Sequence, residues 1–470
     1  MRLATKRIAS LTCAAALLLS VTACTSSAAS GSTATADSSV SAPADAPDGQ
    51  PPEKPDGAPG GNGGPGGFGG SSEVTQGTSA NTLDSTTTVY STSYESTGND
   101  ENALRVDGAD VTLQGVTVTK SSGSSSNTED GDFYGLNAAL LATNGATLTV
   151  SGSTITSSAQ NGNGVFSYGT GTTVNISDST IRTSADNSGG IQTTGGGITN
   201  ASDLNVETSG NSSAAIRSDR GGGTVKVSGG SYTTNGYNSP AVYSTADITV
   251  SGADLTANNS EALVVEGSNS ISLTNCTVAG NMSSTQSTSA DENVHNVMLY
   301  QSMSGDAEEG TSTLTMSGGS LTGKSGDLFY ITNTHAVISL SGVTLSNEDT
   351  SANLMTIAGN SASHGWGTAG KNGAQVDFTA DAQTLSGNIT VGSISTLNLT
   401  LQNGSVFTGT INIVPNAENG TAVSDNASVT IDSGSTWELT GDCTLSTLEN
   451  NGTIHFNGHT ITLADGTVLK

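Results

Sequence analysis

Basic and aromatic side chains are both scarce in this sequence. Its 470 residues hold 13 Lys plus Arg against 41 Asp plus Glu, and only two Trp, nine Tyr and seven Phe. So few bases exclude nucleic acid as a partner, because phosphate contacts need a clustered positive face. An apolar content of 33% is low for a compact globule. No stretch is helical for long enough to cross back over a sheet, which excludes a βαβ architecture. Only Cys276 and Cys443 follow residue 24; they lie many repeats apart, so a disulfide between them is not expected and both are assigned as small buried side chains. A chain this rich in Gly, Ser and Thr would ordinarily be disordered. From about Thr82 onward that reading fails, because β-branched residues alternate with small polar ones over long stretches.

That alternation repeats about every 23 residues. Thr224-Val225-Lys226-Val227-Ser228-Gly229-Gly230 returns as Asp247-Ile248-Thr249-Val250-Ser251-Gly252-Ala253, and again as Ser270-Ile271-Ser272-Leu273-Thr274-Asn275-Cys276. Leu148 and Val174 hold the same position before these units, and Leu314 and Ile338 after them. A unit so short cannot bury its own apolar face, so it must stack on copies of itself. Each unit divides into three short strands, like Ala214–Asp219, Thr224–Ser228 and Ser231–Thr234, with Gly, Asn, Asp and Ser at corners that need positive φ.

The chain begins differently. Arg2, Lys6 and Arg7 precede an apolar run from about Ile8 to Thr22, a secretory signal over residues 1–23. Val21-Thr22-Ala23-Cys24 resembles the bacterial lipobox, which implies cleavage before Cys24 and its lipidation, and hence attachment to the membrane and exposure at the cell surface. Removing the three bases before Cys24 leaves 10 basic and 41 acidic side chains, a net charge of −31. Residues 24–76 are Ser-, Pro- and Gly-rich, a tether with no core. Residues 77–383 carry the repeat, and 384–470 a looser end.

On this grammar the chain resembles the right-handed parallel β-helix proteins, the superfamily of pectate lyases, polygalacturonases, tailspikes and bacterial adhesins. The resemblance implies an all-β fold of three short strands per coil. Asp219-Arg220-Gly221-Gly222-Gly223-Thr224 and Tyr300-Gln301-Ser302-Met303-Ser304-Gly305-Asp306 are similar to segments of bacterial surface β-helix proteins. Ser435-Thr436-Trp437-Glu438-Leu439-Thr440-Gly441-Asp442 is similar to the final rungs of autotransporter passengers.

Stacking the first strands aligns Ile216, Val242, Leu263, Leu299 and Phe329 as an inward row. Arg217, Tyr243, Val264, Tyr300 and Tyr330 follow as an outward row, and Asp219, Thr245, Glu266, Ser302 and Thr332 as a second. Rings and polar groups about 4.8 Å apart would suit a glycan, with Tyr243, Tyr300, Tyr330 and Trp366 on sugar faces and Arg217, Asp219 and Glu266 in polar contacts. The competing reading is a plain solvent-facing sheet. Asp219 and Glu266, two rungs apart, are also candidates for acid and base of a polysaccharide lyase or hydrolase, with Arg217 as helper. The adjacent aspartates and Gly-His-Gly of polygalacturonases and the clustered calcium aspartates of pectate lyases are missing. Salt bridges from Arg217 or Arg220 would account for the same residues.

Acidic insertions with Asp130 and Asp132, and with Asp291, Glu292 and Asp306, make calcium possible without matching a calcium motif. His455 and His459 flank an expected hairpin. The Thr-x-Thr pairs are scattered among different strands instead of forming one flat file, which argues against ice binding. The expectation is a lipid-anchored surface β-helix that binds a glycan or a host or cell surface, with catalysis and a purely structural role as alternatives.

Overall fold

The computed structural model describes residues 73–282, 293–363, 365–416 and 418–470. The signal segment, Cys24, the tether up to residue 72, Asp291, Glu292 and His364 lie outside the described residues. The chain winds as a right-handed parallel β-helix with three strands per coil. The first strands of successive coils form a 13-stranded sheet, the second a 14-stranded sheet and the third a 10-stranded sheet.

The 23-residue grammar is realised as register. Val225 pairs with Ile248, and Ile248 with Ile271. The file extends through Leu314 and Ile338 to Phe378 and Leu399. All of these side chains are buried in one continuous core, each worth about 1.5–3 kcal/mol of transfer free energy. The coil between Val174 and Val225 places Thr199 in the file, where its hydroxyl pairs with that of Thr193 at 2.7 Å inside the stack.

The recurring Ser-Gly has a backbone cause. The residue after each second-sheet strand up to Thr396–Gln402 is left-handed, as at Gly152, Gly229 and Gly252 with φ of 55° to 63°. Asp178, Asp203 and Asn275 take over that corner with φ of 47° to 52°, as short polar side chains tolerate this region. At the corner between third and first strands, buried serines form a ladder. The hydroxyls of Ser188, Ser213, Ser239 and Ser260 each accept from a backbone N–H one coil earlier, at 2.9–3.0 Å.

Across residue 384 the second sheet runs unbroken, Asp377 pairing with Asn398. The third sheet instead ends at Thr344–Asn347, and Thr384–Ser386 opens a separate four-stranded sheet. The hairpin expected around His455 and His459 is not there. Thr453–His455 and Ile461–Leu463 belong to different sheets, so the intervening turn is a coil corner. The hairpin lies one turn later, where Ile461–Leu463 pairs antiparallel with Val468–Leu469. His455 pairs with Glu438 at 2.6 Å. Cys276 and Cys443 are free and buried.

Candidate functional site

Three insertions gather over the outer face of the first sheet. One holds the helix Thr128–Tyr134 (α1), capped by Asn127, whose Oδ1 accepts from the Glu129 and Asp130 amides. The second follows the strand His295–Tyr300 and the third follows Met355–Ile357. They bring Asp132, Asp306 and Trp366 onto side chains of the sheet.

The register differs from the expected rows by two residues at one strand. Leu263 pairs with Val297, not Leu299, and Val297 pairs with Phe329. Val264, Met298 and Tyr330 therefore share a file, whereas Tyr300 lies between Glu266 and Thr332. The long insertion before residue 293 hides the start of this strand from periodicity alone. The shift has a chemical result. Tyr300 Oη donates to Glu266 Oε2 at 3.0 Å, Tyr243 donates to the same oxygen, and the Ser302 hydroxyl donates to Oε1. Glu266 is 1% exposed, and burial holds its carboxyl above the usual range, opposed by these three donors. Burial and the adjoining Glu266 charge push both tyrosine hydroxyls well up.

Beside this group lies an ionic one. Arg217 Nη2 meets Asp219 at 2.8 Å and Asp132 at 3.2 Å, and Arg220 meets Asp306 at 2.7 Å. The Arg220 guanidinium also sits 4.0 Å over the Phe133 ring of α1, a cation–π contact. The arginines thus tie two insertions to the sheet. Burial, with the Asp132 and Asp306 charges and against Arg217, pushes Asp219 up to about 7. Asp132 is raised by burial against the same guanidinium. The flanking carboxylates hold Arg217 above its ordinary value despite burial.

The expected aromatic platform is not open. Tyr330 is 4% and Tyr300 9% exposed. They pack with Val264 and Met298, and Tyr243 and Trp366 close over them. Trp366 lies 4.8 Å from the Tyr300 ring and stays half-buried. Asp132 and Asp306, considered above as calcium ligands, face guanidinium groups, while Asp130 lies in the first turn of α1. Among the described residues no three His, Cys, Asp or Glu side chains gather as a metal-binding set.

The sequence matches no family model and no curated protein.

The Thr-x-Thr pairs are divided between the second and third sheets, although part of them stands in register within the second. Thr88, Thr112 and Thr149 form a file on the outer face of the second sheet, and Thr249, Ser272, Thr315 and Ser339 continue it. Asn175, Asn200 and Lys226 stand in the middle of the file. Period counting missed this because Thr also fills the outer positions of the third sheet, as at Thr117, Thr154 and Thr180. The amides and the ammonium break the uniform hydroxyl lattice that ice binding would need.

Proposed function

We propose that this protein is a surface β-helix of the adhesin type, anchored through a lipid on Cys24, that binds a glycan or a cell surface from its first-sheet side. The observation carrying this reading is the gathering of three insertions, with Trp366, Tyr243, Tyr300, Arg217, Arg220 and Asp306, on one face of the stack. Trp366 and the rim pair Arg220–Asp306 supply the accessible contacts. Tyr300, Tyr330 and Glu266 act beneath them as support, since they are buried. Asp219 and Arg217 are bound to each other, which favours positioning over acid–base exchange with a substrate. The test is a glycan array probed with the wild-type protein and with Trp366→Ala. Saturable binding that the variant loses, with the glycan left intact, supports the reading; binding to no glycan or cell surface overturns it.

A second reading is a polysaccharide lyase or hydrolase of the pectate-lyase-like kind. Its support is the Asp219 carboxyl near 7, in the range useful to a general acid, two coils from Glu266. Shortened or unsaturated products from array hits, absent with Asp219→Asn, would establish it.

A further inference from the structure

Another accessible feature of the stack is a groove of about 430 Å³ on the outer face of the second sheet, within the ~300–1,000 Å³ range of small-ligand sites. It runs along the stack from Thr149 through Asn175, Asn200 and Lys226 to Thr249, five successive rungs, or about 19 Å at the spacing of neighbouring strands. Serines 177, 202, 228 and 251 line one side. In a chain of net charge −28, no lining residue is acidic.

Lys226 is exposed and makes no ion pair with any described residue. The neighbouring third-sheet face is different, because Arg182 there is matched by Glu207 at 3.2 Å. The acid nearest in register, Asp247, sits one rung along and two residues before Thr249, and accepts the Ser270 hydroxyl at 2.8 Å. Asn200 Nδ2 donates to Asn175 Oδ1 at 2.9 Å. That bond orients both amides and leaves Asn175 Nδ2 and Asn200 Oδ1 without a partner among the described residues. The groove thus offers one ammonium, a fixed amide donor, a fixed amide acceptor and a flank of hydroxyls, all open to solvent on a rigid sheet.

We propose that this groove binds an acidic polysaccharide chain lying along the stack, with Lys226 on a uronate carboxylate and Asn175 and Asn200 on ring hydroxyls. A carboxylate matches the lone ammonium, and vicinal hydroxyls match paired donors and acceptors. No lining residue is acidic, but Asp178 and Asp203 adjoin the serine flank at Ser177 and Ser202, so repulsion is concentrated on that side and the carboxylate is placed at Lys226. This site stands independently of the first-sheet reading.

The test is titration of the full chain with tetragalacturonate and, separately, with its methyl ester, followed by ligand-observed NMR. The acid should bind and the ester bind at least about tenfold more weakly, the size of effect expected for a lost charge-assisted contact. Lys226→Gln should remove the preference for the acid, and Asn175→Ala/Asn200→Ala should weaken both ligands. Added salt should weaken the acid alone. Trp366→Ala should change nothing here. Equal binding of acid and ester, no binding of either, or binding lost with Trp366→Ala and kept with Lys226→Gln would overturn the proposal. The last of these would leave the first-sheet reading standing.

Discussion

Asp219→Asn probes the ionic group directly. In the native protein this carboxyl rises from an ordinary 3.8 to about 7, chiefly through burial. The folded state therefore holds its proton more tightly than the unfolded chain does. Between about pH 4 and 7 the native protein binds more protons, so this group's stabilisation is full below the unfolded value and is lost as pH rises through the folded one. At 1.36 kcal/mol per pH unit the loss is roughly 4 kcal/mol. This is an upper limit, since Asp132 competes for Arg217 and is raised as well. Asp349, Asp377, Asp432 and Asp465 are held below the ordinary range by hydrogen bonds. Their contributions fade only under more acidic conditions; Glu266 and Asp130, raised by burial, add to the losses of wild type and variant alike. The assay is urea denaturation at pH 4.5 and 7.5 at fixed ionic strength. It can be followed by the fluorescence of Trp437, which is fully buried and stacked on Phe407 at 5.5 Å. The wild type should lose stability from pH 4.5 to 7.5, and Asp219→Asn should lose several kcal/mol less. Equal losses in the two proteins would refute the reasoning, because the titrating group would then lie elsewhere.

Two other substitutions test the stack itself. Tyr232 is fully buried, yet its hydroxyl has no partner among the described residues, so Tyr232→Phe should leave the urea midpoint unchanged or raise stability by about 1 kcal/mol; a clear loss would mean that the hydroxyl is satisfied. Gly210 packs so tightly that a Cβ would run into the Ala185 carbonyl one coil below. Gly210→Ala should therefore cost about 1–3 kcal/mol, and a midpoint equal to wild type would show that the corner can spread.

The stacking axis was legible in the sequence because an inward residue must meet its copy one coil on, as Val225, Ile248 and Ile271 do. The Ser-Gly corners were legible for a similar reason, since left-handed backbone selects few residue types. Tyr300 was misplaced because an insertion resets the count, and only the pairing of Glu266 with Tyr300 restores it. The burial of the aromatic row could not be foreseen from alternation. Its cover comes from a loop distant in sequence that sets Trp366 on the Tyr300 ring, and no period encodes that landing point. Lys226 was visible as a residue, but its isolation from acids depends on neighbours 20 or more positions away.

The short antiparallel strand Val468–Leu469 has a consequence for assembly. A stack of parallel coils ends in raw backbone amides and carbonyls, onto which another chain could add a rung, and then another. By reversing direction against Ile461–Leu463, the last strand offers part of that end a partner running the wrong way for continuation. While Val468–Leu469 holds that edge of Ile461–Leu463, no parallel strand can add there, and deleting residues 468–469 should expose the edge to pairing with another chain.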